Sequence, residues 1–569
     1  MSKNSLEKAK LWLSEEYDEN TRSEVQDLID NHPELLEDAF YKNLEFGTGG
    51  MRGIMGVGTN RINKYTLGAA TQGFANYLNQ QFPNKEKSVA IGYDVRKNSD
   101  TFARIVADIL TANDIKVYLF ESFRPTPELS FTIRHLKCDA GIVLTASHNP
   151  PEYNGYKLYW NDGAQIVPPQ DGEIIQEVNK VSANEIKFEG KDDLLNFIGE
   201  SIDQAFIQAC VNAVGFTNEG KEDLKIVFTP IHGTSIVTIP EALKKAGFKN
   251  VWVVEEQSNP SGEFPTVKSP NPEEPAALQM AVDLANEVGA DIVIGTDPDA
   301  DRLGIAVRNL KGELILLNGN QTNTVFVDYL LKNRNNNRLE GKDFIGSTIV
   351  SSDIFFEIAK KYDAECKVGL TGFKWIADMI RKSEGKQRFI GGGEESFGFM
   401  VGDFVRDKDS VSSTLLACEI AAYAKANNSS FFEELMKIYT QTSFYLEDLV
   451  SVVRTGKEGA KEISQLMSNY RSNPPESFDG SKVVRLDDYQ TSISKDLITG
   501  NETPIDIHPS NVLIFYTEDG SKIAARPSGT EPKIKYYFSV KTKLEDISDF
   551  EKKEEELKQK IERLKEEFK

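Results

Sequence analysis

Several short segments of this chain gather the side chains needed to handle phosphate, hydroxyl groups or a hard cation. Ser147 lies in Thr145-Ala146-Ser147-His148-Asn149-Pro150, directly after the apolar run GIVL that ends at Leu144. A serine on the loop at a strand's carboxyl end stands where open α/β sheets place their chemistry, and its hydroxyl can accept a phosphoryl group. The same residues also suit a plain turn before Pro150 and Pro151. Asn154-Gly155-Tyr156-Lys157 follows closely and brings an ammonium within reach of that hydroxyl. After a second apolar run, DIVIG, come Asp297, Asp299 and Asp301 in Thr296-Asp297-Pro298-Asp299-Ala300-Asp301-Arg302. Three carboxylates at every second position of a tight loop can converge on one cation, and oxygen-only ligation favours magnesium over zinc. A solvated acidic loop is the plainer alternative. A calcium-binding EF-hand loop is excluded, because the sixth and twelfth positions counted from Asp297 are Arg302 and Arg308 rather than glycine and glutamate.

Three further segments offer binding groups. Gly391-Gly392-Gly393-Glu394-Glu395-Ser396-Phe397-Gly398 presents carboxylates and a hydroxyl suited to sugar hydroxyls; it lacks the GxxxxGK[ST] pattern of a phosphate cradle, and its glycines read equally as a flexible surface turn. Lys374, in Thr371-Gly372-Phe373-Lys374, is a possible helper. Arg526-Pro527-Ser528-Gly529-Thr530-Glu531-Pro532 combines one arginine, two hydroxyls and glycine-freed backbone N–H groups that can wrap a phosphate, or form an ordinary turn. Gly47-Thr48-Gly49-Gly50-Met51-Arg52-Gly53 presents one more arginine on a glycine-rich loop.

The background against which these groups act is acidic. Lys and Arg total 66 against 88 Asp and Glu, a net charge of −22, so the average field repels nucleic acid, anionic membrane and any phosphorylated substrate. A phosphate site must therefore be a local concentration of arginine, lysine, N–H groups and cation. With 39% hydrophobic residues in a 569-residue chain, there is ample material for a core, and about four domains are expected. The beginning, MSKNSLEKAKLWLSEE, has no secretory pattern, and no apolar run reaches the about 18 residues that span a bilayer. The expectation is a cytoplasmic protein without nucleic-acid or membrane partners. Cys138, Cys210, Cys366 and Cys418 are far apart and read as reduced thiols rather than a disulfide or zinc framework.

The elements that must position these loops alternate in α/β fashion. Strand-like Lys87–Tyr93, Ile115–Phe120 and Cys138–Leu144 occupy the first part of the chain. Lys225–Thr229, Val251–Glu255 and Asp291–Gly295, separated by helical 240–246 and 275–288, follow. The stretch from about Gly319 to Ser443 repeats the character with strand-like 344–350, helical 353–361 and 375–382, and a turn-rich 389–398. After about Tyr445 a Pro-bearing stretch leads to strand-like 512–516 and 534–540, as in a smaller α+β domain. Phe550, Leu557, Ile561, Leu564 and Phe568 have helical spacing amid Lys and Glu, which predicts a closing amphipathic helix packed on its own domain.

Taken together, the motifs resemble the α-D-phosphohexomutase family, over nearly the whole chain and in its order. The resemblance implies three similar α/β domains with mixed sheets (1–205, 206–318 and 319–445) and a smaller C-terminal α+β domain (446–569), with the active site in a central cleft. It implies that Ser147 in TASHNP carries the phosphate, and that Asp297, Asp299 and Asp301 bind Mg2+, with the esterified Ser147 sharing an oxygen with that ion. Arg52 and Lys157 would lie at the phosphoserine beside His148, and Arg302 beside the aspartates. Lys374, Glu394 and Ser396 would face the sugar, and Arg526, Ser528, Gly529 and Thr530 the phosphate that is not reacting. GEESFG is similar to glucose-type enzymes, whereas phosphomannomutases of dual specificity carry GEMSGH; Gly398 stands where those have histidine. The run TASHNPPEYNGYKLYWNDGAQIVPP looks like the branch of bacterial phosphoglucomutases and phosphopentomutases. The implied reaction interconverts glucose 1- and 6-phosphate through glucose 1,6-bisphosphate, with pentose or mannose phosphates as alternatives. A metal-dependent phosphatase with an aspartate nucleophile is the rival class.

Overall fold

The computed structural model describes residues 3–45, 50–335, 339–454, 456–528 and 533–568. Two compact units emerge: the first holds Met1–Asn318, Ala377–Glu384 and Ser396–Asn428, the second Gly319–Ile376, Gly385–Glu395 and Ser429–Lys569.

The first unit contains two mixed sheets. One runs in the order Gly50–Ile54, Tyr153–Trp160, Ala140–Leu144, Lys87–Tyr93, Ile115–Phe120, Leu195–Ile198. Its last four strands are parallel, and Tyr153–Trp160 runs antiparallel to both of its neighbours, Gly50–Ile54 and Ala140–Leu144. Ala140–Leu144 is buried along its whole length, which is why its sequence is a continuous apolar run rather than an alternation. Helices Lys64–Gln81 and Ser99–Ala112 help cover the sheet with Leu67, Phe74, Val106 and Leu110. The other sheet has the order Leu314–Leu317, Leu303–Arg308, Ile292–Thr296, Lys225–Thr229, Asn250–Val253, with Leu303–Arg308 antiparallel to its neighbours. Helix Ser410–Ala426 is buried on nearly every face, and is started by the Asp409 side chain, which accepts from the N–H groups of Val411 and Ser412.

In the second unit Glu365–Gly369, Phe344–Thr348 and Phe389–Gly393 pair in parallel, in that order. The glycine-rich 389–398 stretch is thus not simply turn-rich, because its first five residues form a fully buried strand. The glycines are there for close approach: a Cβ on Gly392 would lie 2.3 Å from the Gly346 carbonyl oxygen. An antiparallel sheet follows, in the order Phe444–Val453, Lys533–Thr542, Lys522–Pro527, Leu513–Thr517, Ser481–Asp488, Ile493–Asp496, Glu502–Pro504. Helix Phe550–Glu566 lies on this sheet with Phe550, Leu557, Ile561 and Leu564 buried, as the spacing predicts. Phe568, past the helix end, is buried too, and stacks 5.1 Å from Phe478.

None of the helices among the described residues is long and apolar enough to cross a membrane.

Candidate functional site

Ser147 sits three residues beyond strand Ala140–Leu144, is 3% exposed, and holds a left-handed φ of +52°. For a residue with a Cβ that conformation costs roughly 1 kcal/mol or more, and it persists only where surroundings enforce it. Here the Ser147 N–H donates to the Thr145 hydroxyl at 2.8 Å, and that hydroxyl donates to Asp94 Oδ2 at 2.6 Å. The turn aims Ser147 Oγ at Asp297 Oδ2, 2.7 Å away, with His148 Nδ1 at 3.2 Å. Burial, then repulsion from Arg302 and Arg52, pushes His148 down to about 2, so its ring is neutral at ordinary pH and can only accept or share a proton weakly.

Asp297, Asp299 and Asp301 converge: one carboxylate oxygen from each lies within 4.8 Å of the others, and all three residues are buried. The loop is fixed from several sides. The N–H groups of Asp301 and Arg302 donate to Asp297 Oδ1 at 3.1 and 3.0 Å, Thr126 N–H to the Asp299 carbonyl at 2.9 Å, and Ser410 Oγ to the Ala300 carbonyl at 2.6 Å. Asp299 Oδ1 and Asp301 Oδ1 are buried without a hydrogen-bond partner. Two orphaned carboxylate oxygens in an all-oxygen cluster fit a hard divalent cation, since unpaired buried charge is otherwise costly. The same crowding appears in the proton affinities. Burial, then repulsion from Asp299 and Asp301, raises Asp297 well above the usual carboxylate range. For Asp299 burial works in the same sense, but Lys157 prevails and holds it low.

Lys157 extends from strand Tyr153–Trp160, with Nζ 2.9 Å from Asp299 Oδ2 and 3.5 Å from Asp301 Oδ2. Burial opposes its charge, but Asp299 and Asp301 outweigh burial and raise its proton affinity, so it stays an ammonium. Arg52 lies opposite Gly155 in the adjoining strand and donates to Asn149 Oδ1 at 3.0 Å. Arg302 pairs with Glu273. Ser396, half-buried, is two residues from Gly398, which bridges to Arg302. These groups of the first unit therefore form one cluster of cations and carboxylates around a serine hydroxyl.

The second unit gathers a different set. Glu394, 5% exposed, accepts the Gly372 N–H at 2.6 Å, while its own carbonyl accepts from the Asn323 side chain at 2.9 Å. Glu395 is held by the Thr348 and Ser351 hydroxyls, both at 2.9 Å, so the two adjacent glutamates are anchored differently. Lys374, at the start of helix Phe373–Ser383, lies 5.1 Å over the Trp375 ring. Arg526, next to last in strand Lys522–Pro527, donates to the Tyr537 hydroxyl at 3.4 Å, and the Ser528 N–H donates to the Lys533 carbonyl at 2.8 Å. Gly529 and Thr530 lie outside the described residues, as do Gly47, Thr48 and Gly49.

Lys408, which the sequence reading passed over, belongs to the first cluster. Its Nζ is 3.1 Å from Asp301 Oδ2 and 3.3 Å from Asp407 Oδ1, and Asp407 accepts from the hydroxyl of Tyr159 at 2.7 Å. Gly398 makes room for it: a Cβ there would lie 2.2 Å from Lys408 Cδ, so any side chain at 398 must displace this lysine. The signal in the sequence was Arg406-Asp407-Lys408-Asp409, four charges placed between a buried strand and a buried helix.

Models described as phosphoglucomutase/phosphomannomutase α/β/α domains I, II and III match residues 43–185, 204–312 and 318–439. A phosphoglucomutase of Staphylococcus aureus strain MRSA252 is 40% identical over 508 residues, covering 89% of this chain and 91% of that protein. The strain MSSA476 protein of the same name is 39% identical over the same shares. Among solved structures, a phosphoglucomutase/phosphomannomutase family protein from Burkholderia thailandensis matches with a TM-score of 0.65 at 19% identity, covering 91% of this chain and 97% of that one. Parafusin, a phosphoglucomutase from Paramecium, matches with a TM-score of 0.67 at 18% identity, covering 92% and 95%. At such identities the two structures speak for the fold alone.

Proposed function

We propose a function from one premise: the chain belongs to the phosphoglucomutase/phosphomannomutase family. It interconverts glucose 1-phosphate and glucose 6-phosphate through a phosphorylated Ser147 and glucose 1,6-bisphosphate, which also serves to prime the serine. The observation that carries this reading is Ser147 Oγ, in a strained turn, 2.7 Å from one carboxylate of a three-aspartate cluster lined by lysines. The naming of glucose rests on the S. aureus relatives. On this reading the chain divides into four domains (1–205, 206–318, 319–445, 446–569).

Asp297, Asp299 and Asp301 would hold Mg2+ together with an oxygen of the esterified Ser147. When bound, the ion supplies charge neutralisation at the transferring phosphoryl group. The chain's own groups do the rest. Lys157 and Lys408 neutralise the aspartates, and Arg52 and Arg302 offer planar donors to the phosphoryl oxygens. Lys157, held protonated, is suited to give a proton to Ser147 Oγ as the phosphoryl group leaves for the free sugar hydroxyl, whose own proton then restores the ammonium. Neutral His148 steadies the serine hydroxyl without adding charge. Glu394, Ser396 and Lys374 grip the sugar hydroxyls in either orientation, while Arg526 with Ser528, Gly529 and Thr530 grips the phosphate at rest. The bisphosphate then turns end for end and returns its other phosphoryl group to Ser147.

If Arg526 binds the resting phosphate, Arg526→Ala removes a charge-assisted contact from both substrates alike. KM for glucose 1-phosphate and for glucose 6-phosphate should each rise about 10- to 100-fold, the equivalent of the roughly 1.5–3 kcal/mol of a hydrogen bond to a charged group. Unchanged KM values in steady-state assays would remove Arg526 from the site. The substrate itself is settled by comparing glucose 1-phosphate with ribose 1-phosphate in coupled assays primed with catalytic glucose 1,6-bisphosphate. Faster turnover of glucose 1-phosphate is expected; faster turnover of ribose 1-phosphate would make this a phosphopentomutase.

A further inference from the structure

One buried arginine outside the groups just assigned grips the Ser147 loop by its backbone. Arg96 follows strand Lys87–Tyr93, and its side chain is 0% exposed. Nη1 donates to the carbonyls of Pro150 at 2.8 Å and Tyr153 at 3.1 Å. Nη2 donates to the Ser147 carbonyl at 2.6 Å and to that of Asn149. Nε lies 3.3 Å from Asp94 Oδ2, the carboxylate oxygen that also accepts from Thr145. One planar guanidinium thus reads four carbonyls within seven residues, a task that a lysine's three diverging donors cannot reproduce.

The same arginine ties this loop to the aspartate loop. The Phe264 ring lies 5.1 Å from the guanidinium carbon. Gly262 lies so close that a Cβ there would be 2.7 Å from Lys97 N and 2.8 Å from Arg96 Cα. That segment is fastened by His232, whose ring nitrogens meet the Asn259 carbonyl and the Thr266 hydroxyl at 2.9 Å each. Beside His232, Gly233 abuts Pro298, and the Thr234 N–H donates to the Pro298 carbonyl at 2.9 Å. Arg96 therefore stands between the Ser147 loop and the segment that backs Pro298.

We propose that Arg96 is a positioning residue for phosphoryl transfer: by holding the carbonyls of Ser147, Asn149, Pro150 and Tyr153, it enforces the strained turn and sets Ser147 Oγ against Asp297, and it sets Arg52 through Asn149. This rests on the reading of Ser147 as the phosphoryl carrier. The clamp acts on where the hydroxyl stands, and the grips on sugar and resting phosphate belong to other residues. Loss of the clamp should therefore appear in kcat and not in KM.

The test is Arg96→Lys, which keeps a positive charge opposite Asp94, together with Arg96→Ala. Displacement of reacting atoms by about 1 Å is worth on the order of 100-fold, so R96K should lose about 100-fold in kcat per folded molecule while KM stays within about twofold. Amide hydrogen exchange in 147–153 should quicken, with strand 140–144 unaffected. R96A should regain several-fold in activity from millimolar guanidinium and nothing from ammonium. The proposal is overturned if R96K turns over at the wild-type rate per folded molecule, or if its 147–153 amides exchange as in the wild type. Absence of phosphosugar turnover in the wild type would instead defeat the functional reading, and the exchange measurement would still decide whether Arg96 is the clamp.

Discussion

Ser147→Ala should abolish mutase turnover, with kcat falling by about four to six orders of magnitude, the scale seen when a covalent nucleophile is removed. The loss follows from the two-step character of the reaction. Without an oxygen at this position no phosphoryl group can be parked while the sugar turns over, and nothing nearby substitutes. The His148 ring is a poor base, its proton affinity pushed down to about 2, and Asp297 is buried among like charges that raise its own proton affinity. The substitution itself is mild for the fold. It removes one buried hydroxyl, leaves the Thr145–Asp94 support of the turn in place, and keeps a Cβ at the same positive φ. Far-ultraviolet circular dichroism and the melting temperature should therefore stay close to the wild type. Equilibrium binding of glucose 6-phosphate should also persist, because the groups assigned to the sugar and the resting phosphate lie on other loops. Residual turnover above about 1% of wild type would mean that another group carries the phosphoryl.

Removal of the divalent cation should have an effect nearly as large. With chelator in excess, turnover should drop by about 10^3 or more, consistent with the several kcal/mol that a cation supplies at a developing phosphoryl charge. Excess Mg2+ should restore it, since the chain itself offers partial neutralisation of the site. Lys157 contacts Asp299 and Asp301, and Lys408 contacts Asp301, so the stripped protein should stay folded. Asp301→Asn should mimic the loss and shift the Mg2+ requirement to higher concentration, as one of the three converging oxygen donors loses its charge. The measurement is the Mg2+ dependence of the initial rate after chelation. A stripped enzyme with full activity would show that the aspartates serve the structure and not a cation.

Much of the site was legible because its groups are local. Ser147, and the triplet Asp297, Asp299 and Asp301, each follow an unbroken apolar run, and such a run is what a strand buried on both faces must look like. The closing helix was legible for a similar reason, its apolar spacing being a property of one element. The residues that escaped notice act across the chain. Arg96, Asp94, Lys408, Asp407 and Tyr159 are charged or polar groups that local statistics assign to the surface, and their roles arise from partners some 50 to 250 positions away. Burial inverts their meaning, and burial is decided by the fold. Strand Phe389–Gly393 was obscured differently: glycines that permit two backbones to touch look, one residue at a time, like glycines that permit a turn.

Phosphopeptide mass spectrometry of the protein after incubation with glucose 1,6-bisphosphate asks whether the Ser147 hydroxyl carries the phosphoryl group. One phosphate is expected, as an acid-stable ester on Ser147, and it should persist through turnover of glucose 1-phosphate, because each cycle returns a phosphoryl group to the serine. Absence of phosphate from Ser147, or a hydroxylamine-sensitive acyl phosphate on Asp297, would contradict this reading and point instead to a hydrolase.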